Sequence, residues 1–444
     1  MRVRRFVNRP GLLSALFPAL LLGLAGCGGG SSPPPGPLPP TSPTTSGPIK
    51  HVVIIIQENR TFDTLFNGFP GANSVQSARL STGQVVALHP NSLTDPQDIN
   101  HSHLNWERQY AGGNLFFDRG SPAGQPPDFP YAYVPTSETQ PYWDLARTYT
   151  LGDNTFQSNS GPSFPAHLYL TAASAQFAPG QNADENPNSG GFGGWGCDDP
   201  PGTTVALLGP TGTDVAGPFP CFDYTTLADE MDAAGVSWRY YAPTVGSSGG
   251  IWSAYDAIKH IRYGADWTND VVTPETSILT DAPNGNLPAV TWVAPTLANS
   301  DHAGSRSTSG PQWVASVVDA IGHGPDWNST AIFIVWDDWG GWFDHVVPPQ
   351  VDAMGLGFRV PLIVVSPYAK RGYVSHVQHE FGSILKFTER NFGLATLGAS
   401  DARADDLGDC FNFSQSPSAF TPASVRRAPA SFVHGPEATS PDDD

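Results

Sequence analysis

Asp337-Asp338, Gly340-Gly341 and Asp344-His345 follow one another directly after the apolar run Ala331–Val335. Two adjacent carboxylates beside an apolar strand are costly to bury unless a cation balances them, so this spacing points to a metal site. Glu58 and Asn59 follow another apolar run, His51–Ile56, and offer a carboxylate and an amide carbonyl, both hard oxygen donors. The same residues also suit an ordinary turn in which Glu58 pairs with Arg60. Ser163 comes just after Gly161-Pro162 and opens a helical pattern. A hydroxyl there faces the positive end of the helix, which suits an anionic substrate, and a neighbouring metal would make it a nucleophile. A plain N-cap serine has the same signature.

Histidines next to acidic residues in polar loops are the candidates for proton transfer or ligand contact. His101 and His103 follow Asp98, His302 follows Asp301, His345 follows Asp344, and His376 and His379 precede the last helical pattern. His51, His89, His260 and His323 read as surface or structural.

Chemistry of this kind needs elements that bring distant segments to one edge. Strands are expected at His51–Ile56, Ala289–Val293, Ala331–Trp336 and Val360–Val365, and helices at Ser163–Ala175, Thr226–Ala234, Gln312–Ile321 and Ser383–Phe392. Such alternation predicts an α/β fold, a mostly parallel central sheet with helices on both faces. Ligands in open α/β sheets bind at the carboxyl ends of strands, where both acidic motifs fall.

Arg2, Arg4, Arg5 and Arg9 precede an apolar stretch from Gly11 to Leu24, too short for a good membrane span, which ends in Leu24-Ala25-Gly26-Cys27. This reads as a bacterial lipobox with Cys27 the lipidated residue; an ordinary signal peptide with a chance cysteine is the alternative. The expected organisation is a signal peptide over 1–26, a Gly/Ser/Pro-rich tether over 27–48, a catalytic domain over 49–400, and a wrapping arm with a disordered acidic tail over 401–444. It places the domain outside the cytoplasm, lipid-anchored to the bacterial cell envelope, in the periplasm or on the outer surface.

The formal charge of −19 falls to about −23 without the four leader arginines, which argues against nucleic acid as a partner. Gly (47) and Pro (44) make up about a fifth of the chain, against roughly 12% usually, implying long ordered loops around the core. Cys197 and Cys221 bracket a Gly/Pro/Thr-rich segment and could pair in an oxidising compartment, leaving Cys410 over.

Taken in order, these motifs resemble a known family. Gln57 to Asp63 looks like its Glu-Asn-Arg-Ser-Phe-Asp opening, Ser160-Gly161-Pro162-Ser163-x-Pro165 like its nucleophile turn, and Asp337-Asp338-x-Gly340-Gly341-x-x-Asp344-His345 like its later metal motif. Arg359-Val360-Pro361 and Ser375-His376 follow in order. The family comprises the bacterial non-specific phospholipases C and the respiratory-burst-inhibiting acid phosphatases, with a fold similar to the alkaline phosphatase superfamily. The resemblance implies a phosphoric ester hydrolase in which Glu58, Asn59, Asp337 and Asp338 ligate one divalent cation (Ca, Mg, Mn or Zn) and no organic cofactor is used. Ser163 would be the nucleophile, passing through a phosphoserine. His101 and His302 would contact phosphoryl oxygens or the leaving group, and helix N–H groups would help hold the charge. His345 would support the metal motif, and His103, His167 and His376 are further candidates.

Phospholipase C members usually carry Thr at the nucleophile position and Asp-Glu at the later pair. Ser163 and Asp337-Asp338 are closer to the acid phosphatase branch. A phosphate ester is therefore the expected substrate. The alternatives are a phospholipase C acting on lipid headgroups and a non-catalytic metal- or ligand-binding lipoprotein. A sulfatase would need an Arg that Ser163-Phe164-Pro165-Ala166-His167 lacks.

Overall fold

Val52 to Ile56 is β-branched at every position, and such side chains fit a pleated backbone better than a helix. All five are fully buried, so strand β1 (His51–Gln57) is covered on both faces. The computed structural model describes residues 47–189, 194–424 and 430–433. The leader, Cys27 and most of the tether lie outside these residues, as does nearly all of the tail beyond 424.

Seven further strands join β1 in one sheet: β2 (Thr150–Gly152), β3 (Trp238–Tyr241), β4 (Val271–Val272), β5 (Val290–Val293), β6 (Thr330–Trp336), β7 (Leu362–Val365) and β8 (Tyr373–Ser375). The order is β4-β3-β5-β1-β6-β7-β2-β8. Only β7 runs against its neighbours; every other adjacent pair is parallel. The helices that matter for the site are α1 (Phe62–Phe66), α2 (His103–Tyr110), α3 (Thr136–Thr148), α4 (Ser163–Ala172), α5 (Ser309–Gly322) and α6 (Phe381–Phe392). Helix α4 stops three residues before its expected end because Ala173 turns left-handed, at φ 59°.

Register shows that both faces are covered. Ile54 pairs with Trp292 and Phe333, so the three share a face. Trp292 Nε1 donates to the Leu170 carbonyl of α4, and the Phe333 ring meets Phe387 of α6. Trp336 is of opposite parity, and its ring meets Tyr142 of α3. The sheet is thus mostly parallel with helices on both sides, as expected from the alternation.

The arm over 401–424 lies along this body: Phe411 stacks on Phe387, and Phe420 packs on Trp327. Cys197 and Cys221 form a disulfide, and Cys410 is buried. Among the described residues no helix is long and apolar enough to cross a membrane.

Candidate active site

Gln57 and Trp336 are register partners at the carboxyl ends of the adjacent parallel strands β1 and β6. Glu58-Asn59 and Asp337-Asp338 therefore leave the sheet side by side, and all four are fully buried. Asn59 adopts φ 59°, a left-handed conformation that Asn tolerates better than most side chains. Its N–H donates to Asp337 Oδ1 at 2.9 Å, and the Asp338 N–H donates to the same oxygen at 2.7 Å. Asp338 Oδ1 takes the Gly340 N–H at 2.6 Å. Backbone amides thus hold one oxygen of each aspartate and turn the other toward the space between the strands. Gly340 has φ 58°, and a Cβ there would lie 2.3 Å from the Asn59 carbonyl oxygen.

Helix α4 brings the nucleophile candidate to this space. Ser163 is its first residue, and Ser163 Oγ lies 3.1 Å from Asp338 Oδ2 and 3.4 Å from Asn59 Oδ1. The expectation that helix N–H groups would hold a substrate needs correction. The Phe164 N–H is occupied by Asn186 Oδ1 at 2.9 Å, and Pro165 has no N–H, so Ser163 supplies the remaining early amide.

One turn further along the same face stands His167, four residues from Ser163. His167 Nε2 is 3.2 Å from Glu58 Oε1 and 3.7 Å from Asp337 Oδ2. Donor atoms of Glu58, His167 and Asp337 all lie within 4.8 Å of one another. The sequence signal for His167 is its helical i,i+4 spacing from Ser163.

These residues fit a divalent cation. Asp337 Oδ2 is buried and has no hydrogen-bond partner, and the surrounding carboxylates are too crowded to carry their charges without a balancing one. The oxygen donors suit Ca²⁺, Mg²⁺ or Mn²⁺, and the imidazole also suits Zn²⁺.

His101 and His302 close the other side. His101 Nδ1 faces the Ile99 carbonyl at 2.8 Å, and His101 Nε2 faces Asn59 Nδ2 at 3.1 Å. A carbonyl only accepts and an amide NH₂ only donates, so this pairing assigns the neutral tautomer with the proton on Nδ1. It also turns the Asn59 carbonyl toward Ser163. His302 Nδ1 faces the Ala303 carbonyl at 2.5 Å, and its ring centre is 5.9 Å from that of His101.

Asp301 anchors the His302 loop: its carboxylate accepts from Tyr142 Oη at 2.8 Å and Trp336 Nε1 at 3.0 Å. Burial pushes Asp301 up to about 6. Arg60 does not pair with Glu58 here; it donates to the Asp301 carbonyl at 2.8 Å and lies over Trp342, and burial lowers its pKa to about 10.

The remaining candidate histidines serve other clusters. His345 Nδ1 pairs with Asp63 Oδ2 at 2.6 Å rather than supporting Asp337-Asp338. His376 is largely exposed and faces Asp153, and His103 faces Ser160. Arg359, noted in the sequence only as part of the Arg359-Val360-Pro361 motif, has a role that the motif does not assign. It is wholly buried, bonds both oxygens of Asp344 at 2.8 and 3.1 Å and reaches Asp63 at 3.3 Å. Asp63 follows β1 and Asp344 follows β6, so this guanidinium ties together the two loops that carry the acidic motifs.

A cleft of about 530 Å³ adjoins the site at His101 and Pro162 and is lined also by Asp98, Asn100, Glu185 and Asn186. Its walls mix polar and apolar surface in comparable measure.

The Phosphoesterase family model matches residues 49–395. A hemolytic phospholipase C of Pseudomonas aeruginosa is 25% identical over 424 residues, covering 81% of this chain and 55% of that protein. Phospholipase C B of Mycobacterium tuberculosis is 25% identical over 446 residues, covering 84% of this chain and 80% of that one. A solved alkaline phosphatase superfamily protein from Vibrio parahaemolyticus aligns at TM-score 0.38 and 9% identity, covering 80% and 70% of the two chains. This chain spans little more than half the length of the Pseudomonas relative.

Proposed function

The chain belongs to the Phosphoesterase family, and from that premise we propose a metal-dependent phosphoric ester hydrolase with Ser163 as nucleophile. What carries the reading is one buried constellation: Ser163 Oγ is 3.1 Å from Asp338 Oδ2, beside the grouped donors of Glu58, His167 and Asp337. Glu58, Asn59, Asp337 and Asp338, with His167, would hold the cation, which when bound supplies Lewis acidity toward the serine hydroxyl and the phosphoryl oxygens.

The side chains do the rest. Asp338 accepts the Ser163 hydroxyl and aims its lone pair at the space between the strands. His101 keeps the Asn59 carbonyl pointed at that hydroxyl. In the first step Asp338 takes the Ser163 proton as the Oγ–P bond forms and the P–O bond to the alcohol breaks, and His302, entering the step with Nε2 protonated, gives the departing alkoxide that Nε2 proton. Water then attacks phosphorus and passes its proton to the now neutral His302, the Oγ–P bond breaks, Asp338 returns the proton to Ser163 Oγ, and phosphate is released.

A phospholipase C acting on lipid headgroups is the second reading, favoured by the names of the relatives. The cleft beside His101 carries Asp98, Asn100, Glu185 and Asn186 and, among the described residues, no large apolar side chain, which supports a water-soluble ester instead, because an acyl chain would want an apolar rim. We further propose attachment to the cell envelope through Cys27; the Cys197–Cys221 disulfide fits an exported domain. Lipid labelling that persists in Cys27→Ser would refute the attachment.

The test of function is hydrolysis of a chromogenic phosphate monoester and of phosphatidylcholine vesicles, with and without metal stripping, alongside Ser163→Ala. Loss of monoester turnover in both treatments, cation rescue of the stripped protein and a phosphopeptide containing Ser163 after acid quench are expected. Turnover surviving Ser163→Ala would remove the nucleophile assignment, and no turnover of either substrate would leave the binding lipoprotein.

A further inference from the structure

Asp184 is fully buried, and neither of its carboxylate oxygens has a hydrogen-bond partner. It stands outside the constellation above, in the loop that follows Asn182. Two other donors face the same place. One ring nitrogen of His103, the first residue of α2, and one oxygen each of Asp184 and Asp214 lie within 4.8 Å of one another. His103 Nδ1 meets the Ser160 carbonyl at 3.3 Å and the Ser160 hydroxyl at 3.1 Å. The carbonyl can only accept, so Nδ1 carries a hydrogen and Nε2 is the nitrogen through which the neutral ring would ligate. That Nε2 is buried without a hydrogen-bond partner, 3.9 Å from Glu107 Oε1.

The place therefore gathers ligand atoms from three segments, and apart from a proton shared between Asp184 and Asp214 nothing there among the described residues donates to them. Burial, with the neighbouring charge of Asp214, pushes Asp184 up to about 8 and Glu185 up to about 7. Either protons or a cation must relieve such a cluster. A cleft of about 360 Å³ lined by His103, Glu107, Ser160 and Gly212 gives a route in from solvent.

We propose that His103, Asp184 and Asp214 form a second divalent-cation site, separate from the one at Glu58, His167 and Asp337. One imidazole with two carboxylates suits a cation of the zinc class, with Glu107 or water completing the shell. The site braces the nucleophile turn. The Asp184 carbonyl oxygen is 2.4 Å from where a Cβ of Gly161 would stand, so this loop packs directly on the turn leading to Ser163. Two residues on, Asn186 caps the Phe164 N–H. Binding there would fasten α2 and the Asp214–Ala216 strand to the loop that seats helix α4.

The experiment counts metal and needs no turnover, so it is decided independently of the proposed reaction. The metal-stripped full chain is titrated with Zn²⁺ by calorimetry, and bound zinc is measured by elemental analysis after gel filtration. Two equivalents are expected for the wild type and one for Asp184→Asn. Asp214→Asn, at an exposed position where folding is secure, should weaken one equivalent at least tenfold. Glu58→Gln/Asp337→Asn should keep the equivalent that Asp184→Asn loses. Two equivalents of unchanged affinity in both Asp184→Asn and Asp214→Asn would overturn the site. So would a single wild-type equivalent that Glu58→Gln/Asp337→Asn abolishes.

Discussion

Replacing Arg359 by Met tests whether the two acidic motifs are held together by one buried cation. Methionine keeps much of the volume but leaves Asp63 and Asp344, both wholly buried, facing each other without the guanidinium. Removing one partner of a buried ion pair costs about 3–5 kcal/mol. The carbonyls of Asp153 and Asn73, which Arg359 Nη1 meets at 2.6 and 3.1 Å, lose a donor at about 1 kcal/mol each. His345 still reaches Asp63, so the lower half of the combined range of about 5–7 kcal/mol, about 5–6 kcal/mol, is the expectation at pH 7. That is a large part of the roughly 5–15 kcal/mol typical of a domain.

The pH dependence has a definite sign. Burial and then the Asp344 charge already raise the Asp63 pKa, while Arg359 opposes the shift. Without Arg359 the folded-state pKa rises further above the unfolded value of about 4. A carboxyl raised in this way contributes stability that is fully present below its unfolded pKa and lost as pH rises through its folded pKa. The deficit of the variant should therefore shrink on going from pH 8 to pH 5. Urea unfolding followed by tryptophan fluorescence at both pH values measures it. A deficit under about 1 kcal/mol, or one that grows as pH falls, would refute the brace.

The centre of the fold was legible because its signals are local. The four strands expected from sequence are β1, β5, β6 and β7, each built on a run of β-branched or apolar residues. The others were invisible for the same reason: β4 is two residues and β2 ends in glycine, so neither shows a period. Helix α3 was masked by Pro141 within it, which normally argues for a break. In the site, Glu58, Asn59, Ser163, Asp337 and Asp338 could be picked out because each sits at an element end with chemistry to offer. The role of Arg359 could not be read from its motif, since it depends on Asp63, 296 positions away. The cap that occupies the α4 N-terminus is likewise supplied by Asn186, 22 positions from Phe164, and no local pattern announces it.

Asp337→Asn should weaken cation binding by at least a hundredfold, so that added cation no longer raises its Tm in calorimetry; an unchanged shift would remove Asp337 from the ligand set. Reducing the Cys197–Cys221 disulfide, which spans 24 positions, should cost about 3 kcal/mol, read as a Tm lowered by several degrees under reductant. Asp301, with a folded pKa of about 6, contributes stability present below about 4 and lost as pH rises through 6. Asp301→Asn should flatten that slope in urea melts between pH 4 and 7, and an unaltered slope would assign it elsewhere. Gly340→Ala joins the turn geometry to the chemistry. Its backbone at φ 58° costs an alanine about 1–2 kcal/mol, and the new Cβ would stand 2.7 Å from Asn59 Cβ as well as 2.3 Å from its carbonyl oxygen. Asn59 must shift, and a displacement near 1 Å at the residue that faces Ser163 Oγ is expected to lower kcat about a hundredfold. Gly393→Ala has the same left-handed backbone with nothing within 4 Å, so it should share the strain and keep full activity. Equal kcat in the two variants would show that the Gly340 turn does not set the position of Asn59.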